Sequence, residues 1–126
     1  MNLRVLVVDD EPGVASTLQA YMEDEGIEVL TAGSGEEALE LVNNGAAFDV
    51  CIMDLRLPGM DGDAAILNLH RLRPKLKYLI HTGTAGYEVS DDLRGIGVEN
   101  LHIFKKPLPD MAPLVAAVRT LVAATG

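Results

Sequence analysis

Several polar residues that could do chemistry stand directly after short apolar runs of this sequence. They comprise three adjacent acids, a single aspartate, a threonine and a lysine, at Asp9, Asp10, Glu11, Asp54, Thr82 and Lys106. Carboxylates crowded into one crevice repel one another unless a cation neutralises them. Hard oxygen ligands in small number suit Mg²⁺, which usually keeps several waters. The acidic residues therefore predict a Mg²⁺ site.

The same residue types suit phosphoryl transfer to a carboxylate. A divalent cation screens the incoming group, a lysine ammonium adds a point charge, and a threonine hydroxyl donates a hydrogen bond to its oxygens. Four of the residues also have an ordinary structural alternative. Asp10 suits the capping of the first helix, Thr82 suits the capping of the segment that follows it, and Asp54 suits the start of a turn. Lys106 could be a solvated surface charge. Their joint placement after consecutive apolar runs favours the phosphoryl-transfer interpretation.

The elements that must position these residues are five apolar runs alternating with five helical patterns. The predicted strands are residues 3–8, 27–32, 49–53, 76–81 and 101–104. The first predicted helix begins at Pro12 and ends before Gly26. The second opens with a Ser34–Glu37 capping box and ends at Gly45. The other three span residues 65–72, 88–96, where the pattern is weaker, and 111–122.

Strands that are apolar almost throughout indicate a parallel sheet covered by helices on both faces. The predicted fold class is therefore α/β, with a doubly wound sheet. In such sheets ligands bind outside the carboxyl ends of the strands, which is where the polar residues stand.

Composition restricts the domain count and the class of partner. A chain of 126 residues that is 48% hydrophobic and 23% charged suits one folded domain, residues 1–126. A net charge of −9 argues against direct binding to nucleic acid or an anionic membrane. The N-terminal residues lack a signal-peptide pattern and no apolar run reaches membrane-spanning length, so a cytoplasmic location is expected. Cys51 is the single cysteine and is expected to be buried.

Four motifs carry a resemblance to a known family over essentially the whole length of the chain. They are VVDDE at 7–11, MDLRLPGMDG at 53–62, HTG at 81–83 and FKKP at 104–107. As a set they resemble the CheY-like receiver domain of bacterial two-component response regulators. The resemblance implies a flavodoxin-like fold, with five helices around five parallel strands in the order 2-1-3-4-5.

The resemblance also implies a role for each site residue. Asp54 corresponds to the phosphoacceptor, and Asp54 and Asp10 to direct Mg²⁺ ligands. Asp9 corresponds to a ligand that binds directly or through water, and Arg56 contributes its backbone carbonyl. Thr82 and Lys106 correspond to the residues that contact the phosphoryl group. The Lys106–Pro107 peptide bond is expected to be cis.

The implied mechanism is a phosphorylation switch that catalyses only its own phosphorylation and dephosphorylation. A histidine kinase or histidine phosphotransfer protein donates the phosphoryl group, and Thr82 then moves toward it. This movement changes partner affinity through the face formed by the fourth helix, fifth strand and fifth helix. The partner is a downstream protein or an output domain absent from this chain, and homodimerisation stays open.

The sequence departs from the family pattern at Ile103, where many receivers carry an aromatic residue that rotates inward. Phe104 is expected to point to the opposite face and to be a core residue. Arg56 and Thr84 occupy positions that in this family resemble those that control the rate of dephosphorylation. For Arg56 an equally good interpretation is that only its backbone carbonyl takes part in the site and its side chain is exposed. Ordinary structural roles are expected for the three histidines, with His81 notable because it precedes Thr82.

Two alternative functions also fit parts of the sequence. A small-molecule phosphatase with an aspartate nucleophile would usually carry a general acid two residues after the nucleophile, where this chain has Arg56. A phosphorylation-independent protein-binding module with the same fold is the second alternative. The complete set of acids with Thr82 and Lys106 argues against it.

Overall fold

The helices and strands alternate along the chain, as the apolar runs predict. The computed structural model describes residues 3–84 and 86–125. The strands are β1 (Arg4–Val8), β2 (Glu28–Ala32), β3 (Val50–Met53), β4 (Lys77–Thr82) and β5 (Ile103–Lys105). The helices are α1 (Pro12–Asp24), α2 (Gly35–Asn43), α3 (Gly62–Leu72), α4 (Asp91–Arg94) and α5 (Ala112–Thr125), and a 3₁₀ turn, Asn100–His102, precedes β5.

The five strands form one parallel sheet in the order β2-β1-β3-β4-β5. This confirms the predicted doubly wound, flavodoxin-like α/β fold. The order reverses at β1, because the chain winds outward to β2 and then returns past β1 to β3. The carboxyl ends of β1 and β3 are thus neighbours, with Val8 opposite Met53 in the register. The residues that follow these two strands must meet.

Two apolar cores cover the two faces of the sheet. One packs Leu6, Met53 and Ile80 against α2, α3 and α4. The other packs Val7 and Ile52 against α1 and α5. Because successive residues of β1, β3 and β4 alternate between the two cores, both faces of these strands are apolar, which explains why they read as continuous apolar runs. Cys51 is buried in the first core, as predicted.

Helix starts follow the capping chemistry of the sequence. Pro12 occupies the first position of α1, as predicted. Ser34 Oγ accepts a hydrogen bond from the Glu37 N–H at 3.1 Å, whereas the Glu37 carboxylate accepts from the N–H of Gly33. The predicted reciprocal capping box is therefore shifted by one residue.

Three of the predicted elements have boundaries that differ from the structure for a visible local reason. α3 begins at Gly62, not at residue 65, because the Asp61 side chain caps it by accepting from the Ala64 N–H at 2.8 Å. The weak helix predicted over 88–96 is reduced to α4, where Leu93 is the buried residue. The fifth strand starts two residues later than predicted, because Leu101 and His102 belong to the 3₁₀ turn.

None of the helices in residues 3–84 and 86–125 combines the length and apolar character that a membrane crossing requires.

Candidate functional site

The backbone of the sheet brings the predicted site residues to one edge. The N–H of Asp9 bonds to the carbonyl of Ala32 at 3.0 Å, and the N–H of Asp54 bonds to the carbonyl of Val8 at 2.9 Å. On the other side of β4, the N–H of Lys106 bonds to the carbonyl of Thr82 at 2.8 Å. Each of these residues therefore continues the ladder just beyond its own strand. Their side chains start from positions fixed by backbone pairing.

Four carboxylates meet at this edge, from Asp9, Asp10, Glu11 and Asp54. One carboxylate oxygen from each lies within 4.8 Å of the others. Asp9 and Asp54 are buried, at 4% and 5% exposure, whereas Asp10 and Glu11 are exposed. Such a group can hold a hard divalent cation between a buried floor and an open rim.

Glu11 is a member of the cluster that the predicted ligand set did not include. Its backbone N–H donates to Asp9 Oδ1 at 2.9 Å, so the chain turns sharply after β1 and returns the third acid to the pocket. The run of three adjacent acids was the sequence signal for this residue.

Lys106 lies among the carboxylates. Its Nζ is 2.7 Å from Asp9 Oδ2, 3.2 Å from Asp54 Oδ2 and 3.4 Å from Glu11 Oε1. The Lys106 side chain is only 14% exposed. Its ammonium therefore occupies part of the space between the acids and balances part of their charge. Lys105, the preceding residue at the end of β5, is exposed.

The electrostatic environment shifts the pKa values of this pair in a consistent way. Burial raises the pKa of Asp54 above its ordinary value, and the neighbouring Lys106 only partly offsets this effect. Burial alone would lower the pKa of Lys106, but its contacts with Asp9 and Asp54 outweigh burial and raise the pKa. Lys106 is therefore a fixed cation, and the ionised form of Asp54 depends on nearby positive charge.

Thr82 and Arg56 are placed differently around Asp54. Thr82 is fully buried, and its Oγ1 accepts from the Thr84 N–H at 3.1 Å and lies 3.2 Å from Thr84 Oγ1. The Arg56 side chain is exposed, and its backbone N–H donates to Asp54 Oδ1 at 3.3 Å. A cavity of ≈ 360 Å³ at this edge is lined by Asp10, Glu11, Asp54, Arg56, Gly83 and Lys106.

Two supporting contacts of the segment after Asp54 were missed by sequence reasoning. Gly62 lies so close to the backbone of Asp54 that a Cβ atom there would collide with the Asp54 carbonyl oxygen. The Glu36 carboxylate accepts from the Met60 N–H at 3.2 Å and ties the segment to α2. Glycines and acids are frequent in turns, and neither residue carried a spacing signal that identified these contacts.

The Lys106–Pro107 bond, the two faces of β5 and the environment of His81 are also visible in the structure. The Lys106–Pro107 bond is cis, as expected. Ile103 packs against the core under α2, α3 and α4, whereas Phe104 packs against the core under α1 and α5, which confirms that they face opposite sides. His81 is buried, and both of its ring nitrogens are without a hydrogen-bond partner in the described part of the chain.

Comparison with known proteins agrees with this geometry. The sequence model of the response regulator receiver domain matches residues 5–119. The cell cycle response regulator CtrA of Brucella ovis is 30% identical over 120 residues, which are 95% of this chain and 50% of CtrA. The chain spans half or less of the length of the curated relatives it matches.

Solved structures show the same fold. A CheY-like receiver domain protein from Methanospirillum hungatei superposes with a TM-score of 0.79 and 25% identity, covering 100% of both chains. The response regulator TrrA from Thermotoga maritima, solved in complex with Mg(2+)-BeF, superposes with a TM-score of 0.79 and 28% identity, covering 94% of this chain and 98% of TrrA.

A chain that matches a family model over residues 5–119 and shares its fold is a member of that family. This chain belongs to the response regulator receiver domains, the CheY-like signalling modules of two-component systems.

Proposed function

We propose that residues 1–126 act as one phosphorylation-activated receiver domain in which Asp54 accepts a phosphoryl group from a histidine kinase or a histidine phosphotransfer protein. The observation that carries the proposal is the buried Asp54 carboxylate, which lies in a cluster of acids with the Lys106 ammonium 3.2 Å away. A carboxylate placed in this way is a nucleophile with a fixed positive charge beside it.

The transfer can be written as a balanced displacement. A carboxylate oxygen of Asp54 forms a bond to phosphorus while the phosphorus–nitrogen bond to the donor imidazole breaks, and the imidazole leaves with the electron pair of that bond. Lys106, which contacts Asp54 Oδ2, supplies charge for the phosphoryl oxygens. Thr82 supplies a hydroxyl donor once it leaves Thr84. Attack by water on phosphorus later restores the carboxylate.

The residues fit a Mg²⁺ ion, because four carboxylates share the edge and the Lys106 ammonium, which contacts three of them, balances only part of their negative charge. Asp9, Asp10 and Asp54 would hold the ion together with the backbone carbonyl of Arg56. When bound, Mg²⁺ supplies charge neutralisation for the transferred group. Glu11, from the exposed rim, adds to the negative charge that would attract the cation.

The proposed output is a change of partner affinity on the face formed by α4, β5 and α5. The protein would catalyse no reaction besides its own phosphorylation and dephosphorylation. It would act in the cytoplasm, through a downstream protein or an output domain, with or without dimerisation. The net charge of −9 favours protein partners over direct contact with nucleic acid or a membrane.

The test is the intact-protein mass after incubation with acetyl phosphate, with and without Mg²⁺, for the native chain and Asp54→Ala. We expect one phosphoryl adduct that requires Mg²⁺ and disappears in the variant. If the native chain remains unlabelled while another receiver domain is labelled in parallel, the phosphorylation-independent binding module becomes the better account.

A further inference from the structure

A hydrogen bond between α3 and the segment that follows β4 takes no part in the phosphoryl-transfer site described above. The hydroxyl of Tyr87 donates to Asp63 Oδ1 at 3.1 Å. Tyr87 stands between β4 and α4, and Asp63 stands in the first turn of α3. The aromatic ring is partly buried against the core under α2, α3 and α4.

The Asp63 end of this bond is fixed relative to the phosphoacceptor. The N–H of Gly62 donates to the carbonyl of Leu55 at 3.1 Å, and Gly62 itself is in close contact with the Asp54 backbone. The start of α3 is therefore packed directly on the residues that follow β3. Asp63, the next residue, is an anchor whose position is set by the acceptor strand.

The Tyr87 end belongs to a segment whose described residues, 83–84 and 86–90, make few backbone hydrogen bonds to the rest of the fold. Gly86 has a φ of +69°, a conformation that suits glycine, and Gly83 is exposed at the start of the segment. Beyond Tyr87, the Val89 N–H donates to Asn100 Oδ1 at 2.9 Å and Ser90 caps α4. The described residues of the segment are thus attached to the rest of the fold largely through side chains.

The near end of the same segment holds the hydroxyl of Thr82. Thr82 Oγ1 bonds to the Thr84 N–H and lies beside the Thr84 hydroxyl. A phosphoryl group on Asp54 can use the Thr82 hydroxyl only if Thr82 exchanges these partners. The segment must therefore adjust when Thr82 turns toward the acceptor.

We propose that the Asp63–Tyr87 hydrogen bond is a latch that holds the segment between β4 and α4 in the arrangement where Thr82 is bonded to Thr84. Tyr87 is then a positioning residue for Thr82. It acts from the segment between β4 and α4, whereas the aromatic residue that many receivers carry on β5 is replaced by Ile103 in this chain. The inference rests on the proposed phosphorylation of Asp54 and names a regulator of that same site.

Protonation states agree with this role. Burial, and then the charge of Asp63, raises the pKa of Tyr87, so the hydroxyl keeps its proton near neutral pH and remains a donor. Removal of one such hydrogen bond should shift the equilibrium between the two segment arrangements by about three- to tenfold. The shift favours the arrangement in which Thr82 is free.

The experiment measures the initial rate of Mg²⁺-dependent labelling by acetyl phosphate in Tyr87→Phe, Asp63→Ala and Asp63→Asn. Tyr87→Phe keeps the ring and deletes the hydroxyl, and Asp63→Ala deletes the acceptor. Asp63→Asn keeps an acceptor oxygen but loses the charge, so it serves as the conservative rescue. Tyr21→Phe, on α1 and against the opposite core, is the matched tyrosine control.

We expect labelling to be about three- to tenfold faster in Tyr87→Phe and Asp63→Ala, and close to the native rate in Asp63→Asn and Tyr21→Phe. The affinity for Mg²⁺ alone should be unchanged in all four, which separates positioning of Thr82 from general damage to the site. Circular dichroism melting checks that each variant is folded at the assay temperature.

Two failures are distinguishable. A native chain that is labelled on Asp54, together with unchanged or slower labelling of Tyr87→Phe and Asp63→Ala, would overturn the latch and leave the proposed function intact. A native chain that is not labelled would overturn the proposed function and the latch with it.

Discussion

Lys106 is the residue on which the electrostatic balance of the site depends most directly. Its ammonium contacts three carboxylates that arrive from the ends of β1 and β3, and two of them are buried. Burial of a carboxylate is costly unless a partner neutralises it. In the absence of a metal ion, the lysine is therefore a structural residue as well as a candidate for phosphoryl binding.

The first prediction follows from this balance. Lys106→Met should lower the free energy of unfolding by on the order of 2–3 kcal/mol without added metal, because Asp9 and Asp54 lose their charged partner. Mg²⁺ should restore more stability in this variant than in the native chain, since a cation then has no competing ammonium. Urea denaturation with and without Mg²⁺ measures both effects.

Lys105→Met is the matched control, because Lys105 is the adjacent residue and is exposed. It should change stability by less than about 0.5 kcal/mol. Equal destabilisation by the two substitutions would contradict the assigned role of Lys106.

His81 gives the second prediction, which concerns pH. Burial, and then the neighbouring Lys106, lowers the pKa of His81 below its ordinary value of 6.5, against the opposite effect of Asp9 and Glu11. As the pH falls below 6.5, the unfolded chain binds a proton at this position before the folded protein does. The free energy of unfolding therefore decreases as the pH falls from 6.5 toward the lowered pKa.

His81→Met should flatten this decrease. It should not abolish it, because burial also lowers the pKa of His102. Chemical denaturation of both proteins at a series of pH values from about 7.5 down to 5.5 gives the comparison. The same slope in the native chain and the variant would show that His81 does not titrate in the expected sense.

At the scale of helices and strands, α4 is a short helix with little apolar support. It spans four residues, has Leu93 as its buried residue, and begins at the Ser90 cap. By contrast, β1 and β3 are buried along most of their length in the centre of the sheet. A short helix attached through one apolar side chain is expected to open locally more often than the central strands.

The third prediction tests this difference. Leu93→Ala should remove about 2–4 kcal/mol of stability, since Leu93 is fully buried in the core under α2, α3 and α4. Hydrogen exchange should accelerate in α4 and the segment before it more than in β1 and β3. Leu101→Ala, a nearby leucine that is 71% exposed, should leave both quantities nearly unchanged. Uniform acceleration across the sheet would indicate that α4 unfolds together with the rest.

The elements also show what could be predicted from sequence and what could not. The strands and their order followed from apolar runs and family motifs, and the placement of Asp9, Asp54 and Lys106 at one edge followed from that order. The end of α4 and the start of β5 could not be predicted, because short segments with few apolar residues show no clear hydrophobic periodicity.

Contacts between distant residues were not predictable either. The Tyr87–Asp63 bond joins residues 24 positions apart, and the close approach of Gly62 to Asp54 depends on how α3 packs on β3. Neither contact leaves a local pattern, because each requires the distance between two packed elements. Glu11 is the exception, since its place beside two other acids was visible in the sequence.

For the molecule as a whole, negative charge has two consequences: a general repulsion between carboxylates and a local attraction for cations. The net charge is −9, and four of the carboxylates are concentrated at one edge of the sheet. Any salt screens the general repulsion between surface carboxylates, and this effect depends on ionic strength alone. A Mg²⁺ ion bound at the acidic edge adds a specific term that depends on its affinity.

The last prediction separates these two contributions. MgCl₂ should raise the melting temperature of the native chain more than NaCl of equal ionic strength, because the ion binds the folded state preferentially. Asp10→Asn should abolish most of this excess, since it removes an exposed carboxylate of the cluster. Asp24→Asn removes the same charge from the end of α1. It should keep the excess stabilisation by MgCl₂ and should change the response to NaCl as much as Asp10→Asn does. If both variants retain the excess, the stabilising ions bind elsewhere on the acidic surface and the edge formed by Asp9, Asp10, Glu11 and Asp54 does not hold the metal.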